Sequence, residues 1–156
     1  MGLRRKAREL AAQTLYALDF AELETEFREY QLLNLYPDIL TELSKLQEMD
    51  NTAQVVDFAD DLVKNVIIND QEITASIDRH SINWSATSLA RLDRGILRVA
   101  VYELVYTDTP APVVINEAIE IAKKFCSESS GKLLNGILDA VHKEMQEKER
   151  LEGSKV

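Results

Sequence analysis

The spacing of apolar residues constrains this chain more than any other feature. Almost every segment repeats its apolar side chains with a period near 3.6 residues, which is typical of helices that each bury one face. Only five glycines and three prolines interrupt the 156 residues, so few positions can break a helix or form a tight turn. The pattern therefore predicts an all-α fold: a single compact domain of about six or seven helices over residues 1–150, followed by a flexible tail at 151–156.

The predicted helices can be placed from their apolar stripes and from the residues that cap or break them. We expect them at residues 3–21, 25–35, 37–49, 53–81, 89–106, 113–125 and 130–149. Pro37 is expected in the first turn of the third helix, where proline loses no helical hydrogen bond. The pair Asn69-Asp70 marks the point at which the long fourth segment can break. The fifth helix is nearly all apolar from Ile96 onward, so it is predicted to be the central one.

Three positions inside these helices carry predictions about packing. Glycine in a helix costs about 1 kcal/mol relative to alanine, so Gly136 suggests that two helices approach closely there. Arg98 adjoins the apolar half of its helix, where its guanidinium is expected to meet an acid or carbonyl groups rather than a phosphate. Glu120 and Lys124 are four residues apart and are predicted to form an ion pair on a solvated face.

Composition bounds the class of protein. Hydrophobic residues make up 46% of the chain and charged residues 29%, which excludes a disordered tail. Cys126 is the only cysteine, so neither an internal disulfide nor a multi-cysteine metal site can form. No apolar run approaches the roughly 20 residues that cross a bilayer, and no signal-peptide core follows the basic start. We therefore expect a cytoplasmic protein that has no membrane partner.

Catalytic chemistry requires a constellation of residues that this sequence does not present. His80 and His142 are the only histidines, and neither lies in a spacing that offers two ligands to zinc. Cys126 directly follows Phe125 at the end of an apolar stripe, which is typical of a packed thiol rather than an activated thiolate. The sequence also lacks the glycine-rich loops that hold phosphates and the serine motif of hydrolases. We expect no catalytic residue, no metal and no cofactor.

The distribution of charge is the remaining feature with functional content. Four of the first eight residues are the cations Arg4, Arg5, Lys6 and Arg8, although the whole chain has a formal net charge of -9. Cations gain affinity for a nucleic acid by displacing the counterions that its phosphates condense. The three arginines fall together on one face of the first predicted helix, and they are predicted to point outward as a set. We call residues 1–8 the basic leader. Charge alone leaves an alternative open, in which the basic leader only solubilises the terminus or caps a helix.

Four blocks of the sequence are specific when they are taken together. They read R-R-K-A-R-E-L-A-A-Q-T-L-Y (4–16), R-G-I-L-R-V-A-V-Y-E-L (94–104), V-I-N-E-A-I-E-I-A-K-K-F (114–125) and K-L-L-N-G-I-L-D (132–139). Their order and spacing resemble the NusB family of bacterial transcription antitermination factors across essentially the whole chain. The resemblance implies a helical bundle of two packed halves, RNA binding and no enzymatic activity.

The resemblance also implies partners and the residues that meet them. It implies binding of single-stranded boxA RNA in nascent ribosomal RNA transcripts, together with the small-subunit ribosomal protein that acts as NusE, in a complex that helps RNA polymerase resist termination. Carried over by position, the implied RNA-binding residues are Arg4, Arg5, Lys6, Arg8, Ser129, Lys132 and Asn135. The implied contacts to the partner protein are Tyr16 and Asp93, and Asp93 stands where the family usually has glutamate. Self-association into a homodimer stays open.

Two stretches depart from the family pattern and keep alternatives open. Where relatives often read S-E-D-S-H-K-F-V-N-G, residues 127–136 read S-E-S-S-G-K-L-L-N-G, so an Asp, a His and an aromatic are missing. Where relatives often read P-Y-K-V-A-I-N-E, residues 110–117 read P-A-P-V-V-I-N-E and lack a Tyr and a Lys. Groups that stack on bases or attract phosphates are therefore fewer. The alternatives are a protein-binding helical adaptor with little RNA affinity, and a module of an RNA cytosine methyltransferase, for whose methyl-donor domain 156 residues leave no room.

Overall fold

The computed structural model describes residues 2–47, 52–81 and 91–153. Within these described residues the chain forms seven α-helices, one short 3-10 turn at Thr25–Phe27 and no strand. The helices are α1 (Leu3–Leu18), α2 (Arg28–Leu46), α3 (Thr52–Ile68), α4 (Asp70–His80), α5 (Arg91–Tyr106), α6 (Ala111–Phe125) and α7 (Glu128–Gly153). The predicted all-α fold is therefore confirmed. None of the helices in this part of the chain is long and apolar enough to span a membrane.

The helices form two packed groups that share one core. Helices α1, α2 and α3 pack on one another, whereas α4, α5, α6 and α7 form the second group. Helices α1 and α3 join the groups by contacting α5, which also contacts α4, α6 and α7. Most side chains of α5 between Ile96 and Leu104 are buried, as its apolar sequence predicts. The central position of α5 and the two-half architecture are both confirmed.

Helix α2 corrects the helix boundary that was predicted at Pro37. The residues expected to form two helices form one, with Pro37 in its interior. A proline there removes a backbone hydrogen bond and costs about 3 kcal/mol. Leu32, Tyr36 and Leu40 nevertheless form one buried stripe on both sides of the proline. Because burial of each large apolar side chain contributes about 1.5–3 kcal/mol, the packing of this stripe outweighs the cost of the proline.

The other helix ends lie within a few residues of their predicted positions. Helices α3 and α4 separate at Asn69, where the sequence allows a break, and the Asn69 side-chain amide donates to the carbonyl oxygen of Asn65 at 2.8 Å. Helix α1 ends at Leu18, three residues early, and α7 continues to Gly153, into the predicted tail. The expected helix residues 48–49 and 89–90 and the final residues 154–156 lie outside the described residues.

Arg98 meets acidic groups, as its place in the sequence predicts. Its Nη1 lies 3.3 Å from Asp19 Oδ1, just beyond the end of α1. Its Nε lies 3.8 Å from Asp70 Oδ1 at the start of α4. Only 15% of the Arg98 side chain is exposed, so these carboxylates compensate a cation that is largely removed from water. Arg98 therefore links both helical groups and is not available to a phosphate.

Helices α1 and α5 approach each other closely at Gly95. A Cβ atom on Gly95 would lie 2.8 Å from the carbonyl oxygen of Ala12, closer than non-bonded atoms tolerate. A Cβ atom on Gly136 would have no atom of a neighbouring helix within 4 Å. The prediction of close helix packing at Gly136 is therefore wrong. Both glycines interrupt helical patterns in the sequence, and only the tertiary arrangement distinguishes them.

We expect Gly95→Ala to lower the free energy of unfolding by about 1–3 kcal/mol, because the added methyl group must push α1 away from α5. Gly136→Ala is the matched control: it adds the same group at an exposed helical position and is expected to raise the free energy of unfolding by about 0.5–1 kcal/mol. Urea denaturation of both variants measures the two changes. Equal effects of the two substitutions would contradict the close α1–α5 contact.

Candidate nucleic-acid interface

The basic N-terminal segment of α1 divides into exposed and buried cations. Arg4 and Lys6 are exposed, Arg5 is half-buried, and Arg8 is only 5% exposed. The prediction that the arginines point outward as a set is therefore wrong for Arg8. The physical reason is that α1 contacts α2, α3, α5 and α6, so its buried surface is wider than one apolar stripe.

Arg8 forms a buried ion pair with Glu103 of α5. Its Nε lies 2.6 Å from Glu103 Oε1 and its Nη2 lies 2.9 Å from Oε2, so each carboxylate oxygen accepts a hydrogen bond. The two side chains are almost completely removed from solvent. A bidentate contact of this kind fixes the orientation of both groups. Arg8 therefore attaches α1 to the central helix instead of facing a ligand.

Arg5 forms an ion pair with Glu117 of α6. Its Nε donates a hydrogen bond to Glu117 Oε2, and 26% of the Arg5 side chain stays exposed. This hydrogen bond holds the pKa of Arg5 above its ordinary value, against the opposing effect of burial, and the nearby carboxylates of Glu120 and Glu9 add to the rise. A phosphate that approaches Arg5 has to compete with the Glu117 carboxylate.

Arg4 and Lys6 are the cations of this segment that stay available. Neither forms an ion pair with any residue that the structure describes. The guanidinium carbon of Arg4 lies 5.4 Å from the centre of the Phe58 ring on α3, which is a cation–π contact. Two cations at one end of α1 can therefore meet an anion, on a protein whose net charge is -9.

Two adjacent lysines lie at the corner between α6 and α7, and one of them reaches α1. Lys124 Nζ lies 3.2 Å and 3.3 Å from the two carboxylate oxygens of Glu9 on α1. Lys123 lies beside the start of α7, because a Cβ on Gly131 would be 3.3 Å from Lys123 Cγ. Glu120, the predicted partner of Lys124, pairs with Lys123 at 3.8 Å. Sequence reasoning missed both exposed lysines as interface candidates, although two adjacent cations before a turn were visible.

The start of α7 contributes three more exposed side chains. Ser129, Lys132 and Asn135 are three residues apart and share one face of the helix. The hydroxyl of Ser127 accepts a hydrogen bond from the backbone N–H of Ser130 at 3.1 Å and so caps the helix. The backbone amide of Ser130 is therefore already occupied and is not available to a phosphate. We use the name basic face for the surface formed by the N-terminal end of α1, the C-terminal end of α6 and the start of α7.

The two implied contacts to a partner protein differ in exposure. Tyr16 is 38% exposed, and its ring meets that of Phe20 edge-on with centroids 5.1 Å apart. Phe20 is also exposed, and sequence reasoning missed it. Asp93 is only 2% exposed, which corrects its implied place on an open surface. Its Oδ2 accepts a hydrogen bond from Ser130 Oγ at 3.1 Å, so Asp93 fixes the start of α7 against α5.

Cys126 lies at the corner between α6 and α7, and its surroundings lower the reactivity of its thiol. Burial, a hydrogen bond with Asp93 and the negative charge of that carboxylate raise the pKa of the Cys126 thiol to about 12. The thiol is therefore protonated at neutral pH, whereas a nucleophile requires the thiolate. This environment agrees with the predicted role of Cys126 as a packed side chain.

Comparisons with known proteins agree on one family. The model of the NusB family matches residues 5–143. A transcription antitermination protein NusB from Geobacter sulfurreducens is 44% identical over 149 residues, which cover 95% of this chain and 99% of that protein. A solved structure of NusB from T. maritima is 33% identical with a TM-score of 0.69, over 90% of this chain and 91% of that one. A crystal structure of the antitermination factors NusB and NusE in complex with dsRNA is 26% identical with a TM-score of 0.73, over 92% and 98% of the two chains.

We expect Glu103→Ala to lower the free energy of unfolding by about 3–5 kcal/mol, because it leaves the Arg8 guanidinium buried and unpaired. Replacing both partners, Arg8→Met with Glu103→Leu, is expected to recover most of that loss, since no charge then stays buried. Glu147→Ala, which breaks an exposed pair with Arg150, is the control and should leave stability unchanged. Urea denaturation measures all three, and a double variant as unstable as Glu103→Ala would argue against a buried-charge penalty.

We expect Cys126 to react with iodoacetamide on the order of a thousandfold more slowly at pH 8 than an ordinary cysteine, because so little thiolate is present. The rate should keep rising with pH towards about 12, the pKa of the thiol. Asp93→Asn should speed the reaction, since it removes the charge that opposes the thiolate. Mass spectrometry follows the modification, with the urea-unfolded chain as the reference, and a folded rate equal to the unfolded rate would rule out this environment.

Proposed function

This chain belongs to the NusB family of transcription antitermination proteins, and from that premise we propose that it is a non-enzymatic antitermination factor. It binds single-stranded boxA-type RNA of ribosomal RNA leader transcripts in the cytoplasm. The small-subunit ribosomal protein NusE binds with it, and the complex acts on RNA polymerase. A structurally similar protein in a complex of NusB, NusE and dsRNA supports both partners.

One observation carries the proposal that this chain binds RNA. Exposed cations lie on each of the three helices that form the basic face, although acidic side chains outnumber basic ones by 27 to 18 in the whole chain. Arg4 and Lys6 within it have no carboxylate partner among the described residues. Unpaired cations that are gathered on one surface of an acidic protein favour a polyanion as the ligand.

Each exposed residue of the basic face has a role that follows from its chemistry. Arg4, Lys6 and Lys132 contact phosphates, because their charges are exposed. Ser129 and Asn135 share a face with Lys132 and offer a hydroxyl and an amide. These groups can hydrogen-bond to base edges and to the 2′-hydroxyls that distinguish RNA from DNA.

The two remaining arginines of the basic leader contribute less directly. Arg5 reaches a phosphate only by leaving Glu117, so its net contribution to affinity is small. Arg8 stays with Glu103 and orients α1. The number of phosphates that the leader neutralises is therefore about two, fewer than its four charges suggest.

The proposed contact to NusE is the exposed aromatic pair of Tyr16 and Phe20. Aromatic side chains are enriched at protein interfaces because they bury a large area with few rotatable bonds. Tyr16 lies twelve residues beyond Arg4 on α1, which is about 18 Å along the helix. Both partners can therefore bind α1 at the same time. Asp93 contributes indirectly, because its hydrogen bond with Ser130 holds the start of α7 in place.

A second candidate function is a protein-binding helical adaptor with little RNA affinity. The internal ion pairs of Arg5 and Arg8 favour it, because two of the three leader arginines are already neutralised by carboxylates. The two functions differ in one measurable property. An RNA-binding factor loses affinity as salt rises, whereas an adaptor keeps its protein partner and shows no salt-dependent RNA binding.

We expect log K for labelled boxA-like RNA to fall with log salt with a slope of about -2, because each of about three neutralised phosphates contributes about -0.7. Arg4→Ala combined with Lys6→Ala should flatten the slope to about -0.7, since Lys132 remains. A fluorescence titration at two or more salt concentrations, with and without NusE, measures the slope. NusE should raise the affinity in every case.

The matched control for charge is Lys45→Ala combined with Lys148→Ala. This variant also removes two exposed cations, but they lie on α2 and on the C-terminal half of α7, away from the basic face. We expect its slope to equal that of the original chain. Equal slopes for the original chain and the Arg4 and Lys6 variant would exclude the leader from RNA binding, and an absence of RNA binding with retained NusE binding would favour the adaptor.

A further inference from the structure

Phe58 of α3 lies against two cations of the basic leader. The guanidinium carbons of Arg4 and Arg8, one turn apart on α1, lie 5.4 Å and 6.0 Å from the centre of its ring. Both distances are within the range of a cation–π contact. The ring itself is partly buried and packs against the hydrophobic core. Phe58 therefore connects an exposed arginine to the interior of the protein.

A buried ion pair holds the inner side of this arrangement. Arg8 is held at 2.6 Å and 2.9 Å by both carboxylate oxygens of Glu103, which is 1% exposed. Arg8 can therefore not swing away from the ring, and the ring is confined between α1 and the core. Of the two arginines beside the ring, Arg4 reaches solvent and Arg8 does not.

The cation–π contact with Phe58 prepares Arg4 for an anion. A guanidinium that lies against an aromatic face keeps its N–H groups at the edge of its own plane, where they can form two hydrogen bonds to one phosphate. The contact also restricts a side chain with many rotamers before the ligand arrives. Less conformational entropy is then lost on binding.

We propose that Phe58 is a positioning residue of the RNA site, and that Phe58 and Arg4 together form a subsite for one phosphodiester group of single-stranded RNA. Arg8 and Glu103 support this subsite from inside without contacting the ligand. The inference rests on the proposed RNA-binding function and adds to it a residue of α3, a helix outside the basic face.

The test is a double-mutant cycle on binding of boxA-like RNA by the full chain. We expect Phe58→Leu to weaken binding about two- to fivefold, because it removes a cation–π contact of moderate strength. Phe58→Tyr, which keeps an aromatic face, should restore the original affinity. In an Arg4→Ala background, Phe58→Leu should weaken binding no further. Phe27→Leu, the same substitution at an exposed ring in the 3-10 turn, is the control and should have no effect.

Each outcome of the cycle is decisive. A loss of affinity on Phe58→Leu that is equal in both backgrounds would show that Phe58 acts independently of Arg4, and would overturn the positioning role. No loss in the original background, while Arg4→Ala still weakens binding, would overturn the role of Phe58 and leave RNA binding intact. A chain that binds no RNA before any substitution would overturn the proposed function as well. Urea denaturation of each variant establishes that it is folded in the assay.

Discussion

The contact between α1 and α5 is the constraint on which the rest of the structure depends. These helices belong to different groups, and they meet where Gly95 lets the backbone of Ala12 approach and where Arg8 pairs with Glu103. The glycine sets the distance between the helices. The bidentate ion pair sets the rotation of α1 about its own axis. Because that rotation decides which leader cations reach solvent, the packing of the core also determines the charge of the surface.

The basic face owes its character to local segregation rather than to an excess of cations. Carboxylates lie within it and beside it: Glu117 pairs with Arg5, and Glu9 pairs with Lys124. Both pairs join α1 to α6, so they hold the face together while they reduce its net charge. Exchanging such a carboxylate for a phosphate replaces one charge-assisted hydrogen bond with a similar one, and the gain in free energy is small. Unpaired cations such as Arg4 therefore matter more to affinity than the number of basic residues suggests.

The sequence predicts well what depends on local periodicity, and poorly what depends on residues distant in the chain. The apolar stripes of α1, α5 and α7 repeat every 3.6 residues, and the structure buries most of their side chains. The helix boundary predicted at Pro37 was wrong. Proline favours the first turn of a helix, but here the buried apolar stripe continues through it. The burial of Arg8 depends on Glu103, 95 residues away, and no spacing within one helix reveals such a partner. For the candidate site, the basic segment was visible, whereas Phe58 and the inward position of Asp93 required the tertiary structure.

One rigid helix bears both proposed binding regions, and this has a consequence for how the two partners cooperate. The attachment of α1 to α5, at Arg8 and near Ala12, lies between Arg4 at one end and Tyr16 at the other. The two ends therefore cannot reorient independently. A partner protein bound at Tyr16 is held at a fixed distance from RNA bound at Arg4, so its own contacts to that RNA form at a high effective concentration. On a chain with few unpaired cations, we propose that this coupling adds to the RNA affinity of the basic face.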